Sequence, residues 1–206
     1  MRFADGVDGL AGRLALVGLS FLETSALILG LFTAAMPLLT MVAAVTGFLL
    51  LNMRFPWQLR AQVFMGASGS MMLGLFLTWC SVQIAQGEAP RLPPITAVWF
   101  LSVPIMDMGL VTVRQIVKGR SLLKAHRDHI HHVLLHAGFS PARTFRLLSL
   151  VSLLFASFGF FAWRTVIPDW VMFYAFMSLF ALYYGLSRRV LRVPRYLKRY
   201  RSADVG

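Results

Sequence analysis

All five histidines of the chain lie within eleven residues, from His126 to His136. The segment from Arg114 to Arg146 around them carries seven Lys or Arg and one acid, which gives it a net charge of +6. Such a segment could attract anionic lipid headgroups, hold a metal ion or bind a polyanion. Lipid attraction explains the lysines and arginines but not the imidazoles, and a metal would lack acidic or thiolate partners. We therefore favour a polyanion such as a diphosphate.

Two carboxylates, Asp5 and Asp8, stand three residues apart, and a glycine follows each of them. This spacing places both on one face of a tight turn or of a helix start. There they could bind a cation, accept hydrogen bonds from a nucleobase or a ribose, or cap the helix. The spacing alone favours capping.

The segment Phe64–Ser70 combines an aromatic ring with two glycines and two serines. Small residues let backbone N–H groups approach a phosphate at a helix N-terminus. They also allow membrane helices to pack closely. Phe64, Gly66 and Ser70 are candidate substrate contacts, although this signal alone is weak.

Two acids, Glu23 and Asp107, lie inside long apolar runs, where an ionisable group is costly and by default functional. For Glu23, a functional role and a partner on a neighbouring helix are equally supported. Asp107 stands just past Pro104 and seven residues before Arg114. That position lies close to a basic segment at the membrane surface, so we favour a role for Asp107 in a site there.

The composition indicates that a membrane bundle positions these residues. The net charge is +12, 58% of the residues are apolar and only 14% are charged, whereas soluble domains have about 45–50% apolar and about 25% charged residues. A single cysteine, Cys80, excludes a disulfide framework and a CxxC metal site. The basic residues lie between apolar runs and do not cover a soluble surface, which argues against a nucleic-acid partner.

Six stretches are long and apolar enough to cross a bilayer, which takes about 20 residues. The expected fold is an all-α polytopic bundle, a single membrane domain over residues 1–206. Lys and Arg are retained mainly on the cytoplasmic side of a membrane protein. An orientation with both termini in the cytoplasm places every Lys and Arg on that side except Arg91 and Arg164. The three polar clusters share this surface, as one active site would require. The predicted spans are 14–33, 37–53, 69–86, 95–113, 145–163 and 169–187, with a cytoplasmic histidine-rich loop at 114–144 and a basic tail at 188–206.

The series DGVDGLAG, FMGASGSMMLG, VPIMDM and GRSLLKAHRDHIHHVLL resembles, in order, the motifs of the polyprenyl-phosphate N-acetylhexosamine-1-phosphate transferases. The HIHH element is similar to the GlcNAc-transferring branch. The resemblance covers essentially the whole chain. It implies transfer of GlcNAc-1-phosphate from a UDP-sugar to undecaprenyl phosphate with release of UMP, an early step of cell-envelope polysaccharide synthesis. It also implies Mg²⁺ as the cofactor and the bacterial inner membrane as the location, with the site facing the cytoplasm.

The resemblance assigns roles to residues that match the motifs. Asp5 and Asp8 match acids linked to nucleotide recognition, and Phe64 matches an aromatic residue that stacks on uracil. The histidine motif engages the phosphates. It corresponds to His129, His131 and His132, and Arg127 is a companion suggested by its chemistry alone.

The chain also departs from the family pattern. Where relatives have a magnesium-binding aspartate, this chain has Ala67, and Arg2 replaces a usual asparagine. The family's paired aspartates lie in an earlier loop, and its members have ten or eleven spans. The chain therefore resembles the C-terminal part of such an enzyme, for which we expect no metal ligand at Ala67 and no turnover in isolation. The alternatives are a relic that at most binds UDP-sugar or lipid phosphate, and a basic membrane anchor with no small-molecule site.

Overall fold

The computed structural model describes residues 5–52, 62–86, 92–117, 119, 134 and 139–201. Over these ranges the chain forms seven helices and no strand, which confirms the predicted all-α class. The helices are α1 Asp5–Ile28, α2 Phe32–Asn52, α3 Gly66–Gln86, α4 Pro94–Phe100, α5 Ser102–Val117, α6 Pro141–Arg164 and α7 Asp169–Arg201.

Five of these helices are long and apolar enough to cross a membrane, and α4 with α5 makes a sixth crossing if the bent pair is one span. The protein is therefore a polytopic helical membrane protein. The qualifying stretches are Gly9–Ile28, Phe32–Asn52, Ser68–Gln86, Ala142–Arg164 and Asp169–Ser187.

The first crossing ends earlier than the apolar run suggests. The predicted span 14–33 runs across the end of α1, because the chain turns after Ile28 and α2 begins at Phe32. Gly30 adopts a φ of 74° there, and the Leu31 N–H donates to the Ala26 carbonyl at 2.9 Å. This is a helix ending that a glycine makes favourable.

The predicted fourth span, 95–113, is not one straight helix. The helices α4 and α5 meet at 87° around Leu101. Pro104 supplies the reason, since it has no N–H to donate to the Phe100 carbonyl and its ring would collide with that carbonyl in a continuous helix. The break lies directly after Phe100.

Helices extend into the predicted loop and tail. Helix α5 continues to Val117 and α6 begins at Pro141, so both ends of the predicted loop 114–144 are helical. Ser140 caps α6, its hydroxyl oxygen accepting from the Arg143 N–H at 3.4 Å, and Pro141 follows in the first turn. Helix α7 continues through Arg201 and includes most of the predicted tail 188–206.

An aromatic cluster surrounds Trp99 of α4. Its ring contacts Phe155 and Phe158 of α6 and Phe176 of α7, with centroid separations of 6.0, 4.6 and 5.6 Å. The Trp99 Nε1–H donates to the Met172 carbonyl at 3.3 Å. We call Trp99 and these three phenylalanines the Trp99 cluster. It joins α4, α6 and α7 without leaving the indole N–H unsatisfied.

Candidate functional site

A cavity of about 320 Å³ lies between α1, α3, α5 and α6. Its volume falls at the lower end of the range of about 300–1,000 Å³ typical of small-molecule sites. Ser70 of α3 and Asp107 of α5 both line it, and the other walls are mainly apolar. The structure thus brings two sequence-predicted site residues together, and we call this space the Asp107 cavity.

Asp107 shares one face of α5 with a basic residue. Arg114 follows it by two turns on the same face of α5 and is buried, with 5% of its surface exposed. Tyr183 of α7 lines a cavity together with Met106 of α5, and a Cβ added at Gly109 would stand 3.0 Å from the ring of Phe180, so α5 lies against α7. Arg114 lies within α5 and not in the predicted loop 114–144, and the seven-residue spacing from Asp107 is the sequence signal for a common helix face.

The face of α6 beside the cavity carries buried hydroxyl groups. Leu148 lines the cavity, and Thr144 and Ser152 lie one turn before and after it on the same face. Both side chains are fully buried, and their hydroxyl oxygens have no hydrogen-bond partner among the described residues. Burial of an unpaired hydroxyl group is unfavourable. This face of α6 therefore has hydrogen-bonding groups that the described residues do not satisfy.

A second, apolar cavity of about 200 Å³ adjoins the first between α5, α6 and α7. Val103 and Leu148 line both cavities, so these two side chains form the wall between them. Tyr183 also lines the second cavity. The Asp107 cavity is therefore lined in part by polar side chains and adjoins a second cavity that is apolar.

Phe64 lies in a short segment between α2 and α3, with 53% of its surface exposed. The segment is tied to the end of α2 at two points. The Gln62 N–H donates to the Leu51 carbonyl at 3.1 Å, and the Asn52 Nδ2–H donates to the Val63 carbonyl at 2.6 Å. An exposed ring on a fixed backbone is what stacking on a base requires.

The small-residue segment begins α3. Gly66, the first residue of the helix, has a φ of 68°, which favours glycine. The Ser70 hydroxyl donates to the Gly66 carbonyl at 3.1 Å, so Ser70 is fixed within the first turns of α3 where it meets the cavity.

The two motif acids lie at a helix start. Helix α1 begins at Asp5, so Asp8 stands one turn further along it; their side chains lie outside the described residues. Gly9 lies against Asn52, because an added Cβ at position 9 would stand 2.7 Å from the Asn52 Oδ1. Leu10, the next residue, lines the Asp107 cavity. The start of α1, the Phe64 segment and the cavity are therefore neighbours.

The histidine motif lies outside the described residues, namely His129, His131 and His132, together with Arg127. The same holds for the side chain of Ala67. Where the structure does describe side chains, no group of three His, Cys, Asp or Glu could hold a metal ion. The described residues do not by themselves form the magnesium site that the resemblance implies.

Fold and site together define a polytopic membrane protein with a cavity between four of its helices. Residues 1–85 match the model of glycosyl transferase family 4. A relative from Yersinia pestis named undecaprenyl-phosphate alpha-N-acetylglucosaminyl 1-phosphate transferase is 36% identical to this chain. The match covers 97% of this chain and 55% of the relative. The protein of that name from Escherichia coli O157:H7 is 34% identical over 96% of this chain and 54% of the relative.

The chain is similar to these proteins over nearly its whole length, and it spans about half the length of the curated relatives it matches. A protein with the same name from Haemophilus influenzae is 30% identical over 77% of this chain and 45% of the relative. No solved structure gives a significant match.

Proposed function

We propose that the chain binds a UDP-N-acetylhexosamine and a polyprenyl phosphate and serves the transfer of N-acetylglucosamine-1-phosphate to undecaprenyl phosphate. The observation that carries the proposal is the convergence of Ser70, Asp107 and the start of α1 around one cavity. The names of the relatives specify the sugar and the lipid. The proposed location is the bacterial inner membrane, with the site facing the cytoplasm.

The reaction that we propose is a phosphoryl exchange. An oxygen of the lipid phosphate attacks the β-phosphorus of the UDP-sugar, a new diphosphate bond forms, and the bond to the α-phosphate breaks to release UMP. Little covalent work is left to the protein in such a transfer, which depends on positioning and on neutralising charge. Mg²⁺ would supply part of that neutralisation.

The proposed roles divide between the two ends of the substrate. Asp5 and Asp8 accept hydrogen bonds from the nucleoside, and Phe64 stacks on uracil. The proposed phosphate contacts are His129, His131, His132 and Arg127, with the small residues Gly66 and Ser70 at the start of α3.

Asp107 suits a different part of the substrate from the phosphates. Its carboxylate would repel a phosphate group but can accept hydrogen bonds from sugar hydroxyls. The apolar walls around it and the adjoining apolar cavity suit a prenyl chain. We therefore assign Asp107 to the sugar.

Ala67 provides the sharpest test of the proposal, because a methyl group cannot bind Mg²⁺. The experiment measures UMP release from UDP-GlcNAc with undecaprenyl phosphate and Mg²⁺, for the detergent-purified chain and for Ala67→Asp. We expect no measurable release from the parent. Ala67→Asp restores one metal-binding carboxylate, and one charge-stabilising group contributes about 10²–10³ in rate, so any release that appears in this variant would favour transfer over the relic.

The control is Ser68→Asp, which places the same charge one residue further along α3. It should remain inactive. UMP release from Ser68→Asp equal to that from Ala67→Asp would contradict the proposal, and so would a failure of the parent and both variants to bind UDP-GlcNAc. Binding of UDP-GlcNAc without release by any of them would favour the relic.

A further inference from the structure

Asn52 is a buried amide at the end of an otherwise apolar helix. It is the last residue of α2 and has 5% of its surface exposed. Its Nδ2–H donates to the Val63 carbonyl at 2.6 Å, across eleven residues of chain. Together with the Gln62–Leu51 backbone hydrogen bond, this contact fixes the Phe64 segment against α2.

The other side of the same amide faces α1. An added Cβ at Gly9 would stand 2.7 Å from the Asn52 Oδ1, which is closer than real Cβ contacts. The amide cannot yield easily, because movement would break its hydrogen bond to the Val63 carbonyl. A glycine at position 9 and an asparagine at position 52 are therefore matched, and the amide lies between the start of α1 and the Phe64 segment.

Other side chains could not make both contacts. An aspartate at position 52 would bring a carboxylate oxygen to the Val63 carbonyl, where two acceptors repel each other. A leucine would fill the space but leave that carbonyl without this donor. Asparagine keeps the two segments at a set separation.

We infer that Asn52 is a positioning residue, which holds the start of α1 and the Phe64 segment at the separation that nucleotide binding needs. The inference rests on the proposed function, in which Asp8 and Phe64 contact the same nucleoside. Displacement of one binding group by about 1 Å can cost about 10²-fold in an oriented site. Asn52 acts through these segments and does not itself need to contact the nucleotide.

The test uses the full chain in detergent and UMP as the probe. The variants are Asn52→Asp and Gly9→Ala, which disturb the same contact from opposite sides. Thr46→Val is the matched control, because it removes a hydrogen bond that lies within α2, from the Thr46 hydroxyl to the Val42 carbonyl at 2.7 Å. Two quantities are measured: the dissociation constant for UMP, and hydrogen exchange of the amides at 62–66 without UMP.

We expect both variants to weaken UMP binding by about tenfold or more and to speed exchange at 62–66, while Thr46→Val changes neither. UMP binding retained within about twofold in both variants would overturn the inference. Lost binding with unchanged exchange would overturn it too, since Asn52 would then be a direct contact. If the parent chain binds no UMP, the proposed function itself fails and the inference falls with it. Should Asn52→Asp not fold, Gly9→Ala still decides.

Discussion

The Trp99 cluster and the Asp107 cavity are built in opposite ways within one bundle. Around Trp99, aromatic rings from three helices lie 4.6 to 6.0 Å apart, and the indole N–H has its acceptor. Around Asp107, about 320 Å³ is unfilled and an acid lines the space. Helices in lipid associate through packing and hydrogen bonds, so we expect the Trp99 cluster to stabilise the contact of α4 with α6 and α7, and the cavity to contribute little to stability.

From this difference we expect the Trp99 cluster to stabilise the fold and the Asp107 cavity to bind the ligand. A packed aromatic cluster tolerates neither a gap nor an extra atom. A cavity with buried polar groups costs stability and is retained where a ligand uses it. Substitutions at the two regions should therefore separate folding from binding.

The largest expected effect follows truncation of the cluster's central ring. Trp99→Ala removes three ring contacts and the hydrogen bond to Met172, and we expect a loss of about 3–5 kcal/mol of unfolding free energy. Trp99→Phe keeps a ring and should lose only about 1 kcal/mol. Reversible unfolding in mixed micelles measures both. Equal losses in the two variants would show that the hydrogen bond, and not ring packing, dominates.

A smaller loss is expected where α6 passes Trp99. An added Cβ at Gly159 would collide with the Trp99 Cβ, which a flexible side-chain end cannot relieve. We expect Gly159→Ala to cost about 1–3 kcal/mol by overpacking. Gly47→Ala is the control, because nothing lies within 4 Å of a Cβ at Gly47. A stable Gly159→Ala protein would show that α4 is not held closely against α6.

At the cavity we expect an effect on binding but not on folding. Gly74 lines the cavity, and a Cβ there meets nothing within 4 Å. Gly74→Leu should therefore fill space without changing unfolding by more than about 0.5 kcal/mol. It should weaken binding of UDP-GlcNAc by about tenfold, or about 1.4 kcal/mol. Gly185→Leu, at another open position, is the control. Unchanged binding in Gly74→Leu would place the ligand elsewhere.

The smallest expected effect tests the charge of Asp107. Asp107→Asn keeps the shape of the side chain and removes its charge. We expect UDP-GlcNAc to bind less tightly, because an amide offers one acceptor oxygen where a carboxylate offers two, while the unfolding free energy changes by less than about 0.5 kcal/mol. A loss of stability with unchanged binding would instead make Asp107 a structural partner of its neighbours.

The sequence alone predicted the helical membrane class, because the uninterrupted apolar runs coincide with most of α2, α3 and α6 and with the first part of α7. It did not predict the turn at Gly30 or the bend at Leu101, since hydropathy averages over such breaks. Gly30 and Pro104 were the available signals, and each acts through one backbone conformation or one missing N–H. Hydropathy thus predicts the presence of a helix better than it predicts the residues at which the helix ends.

For the candidate site, the sequence predicted Ser70 and Asp107 separately, and folding brings them to one cavity. Asn52 was missed because its role depends on Gly9 and Val63, which are distant in the chain and carry no side-chain signal of their own. The roles assigned to Asp5, Asp8 and the histidine motif stay predictions.

The most direct test of the contrast between the two regions is hydrogen exchange of the purified chain with and without UDP-GlcNAc. We expect the nucleotide sugar to slow exchange at the start of α1 and over residues 62–74, and to leave α4 and residues 155–160 unchanged. Slowed exchange around Trp99, or no change at 62–74 at saturating UDP-GlcNAc, would contradict the assignment of binding to the Asp107 cavity and its neighbouring segments.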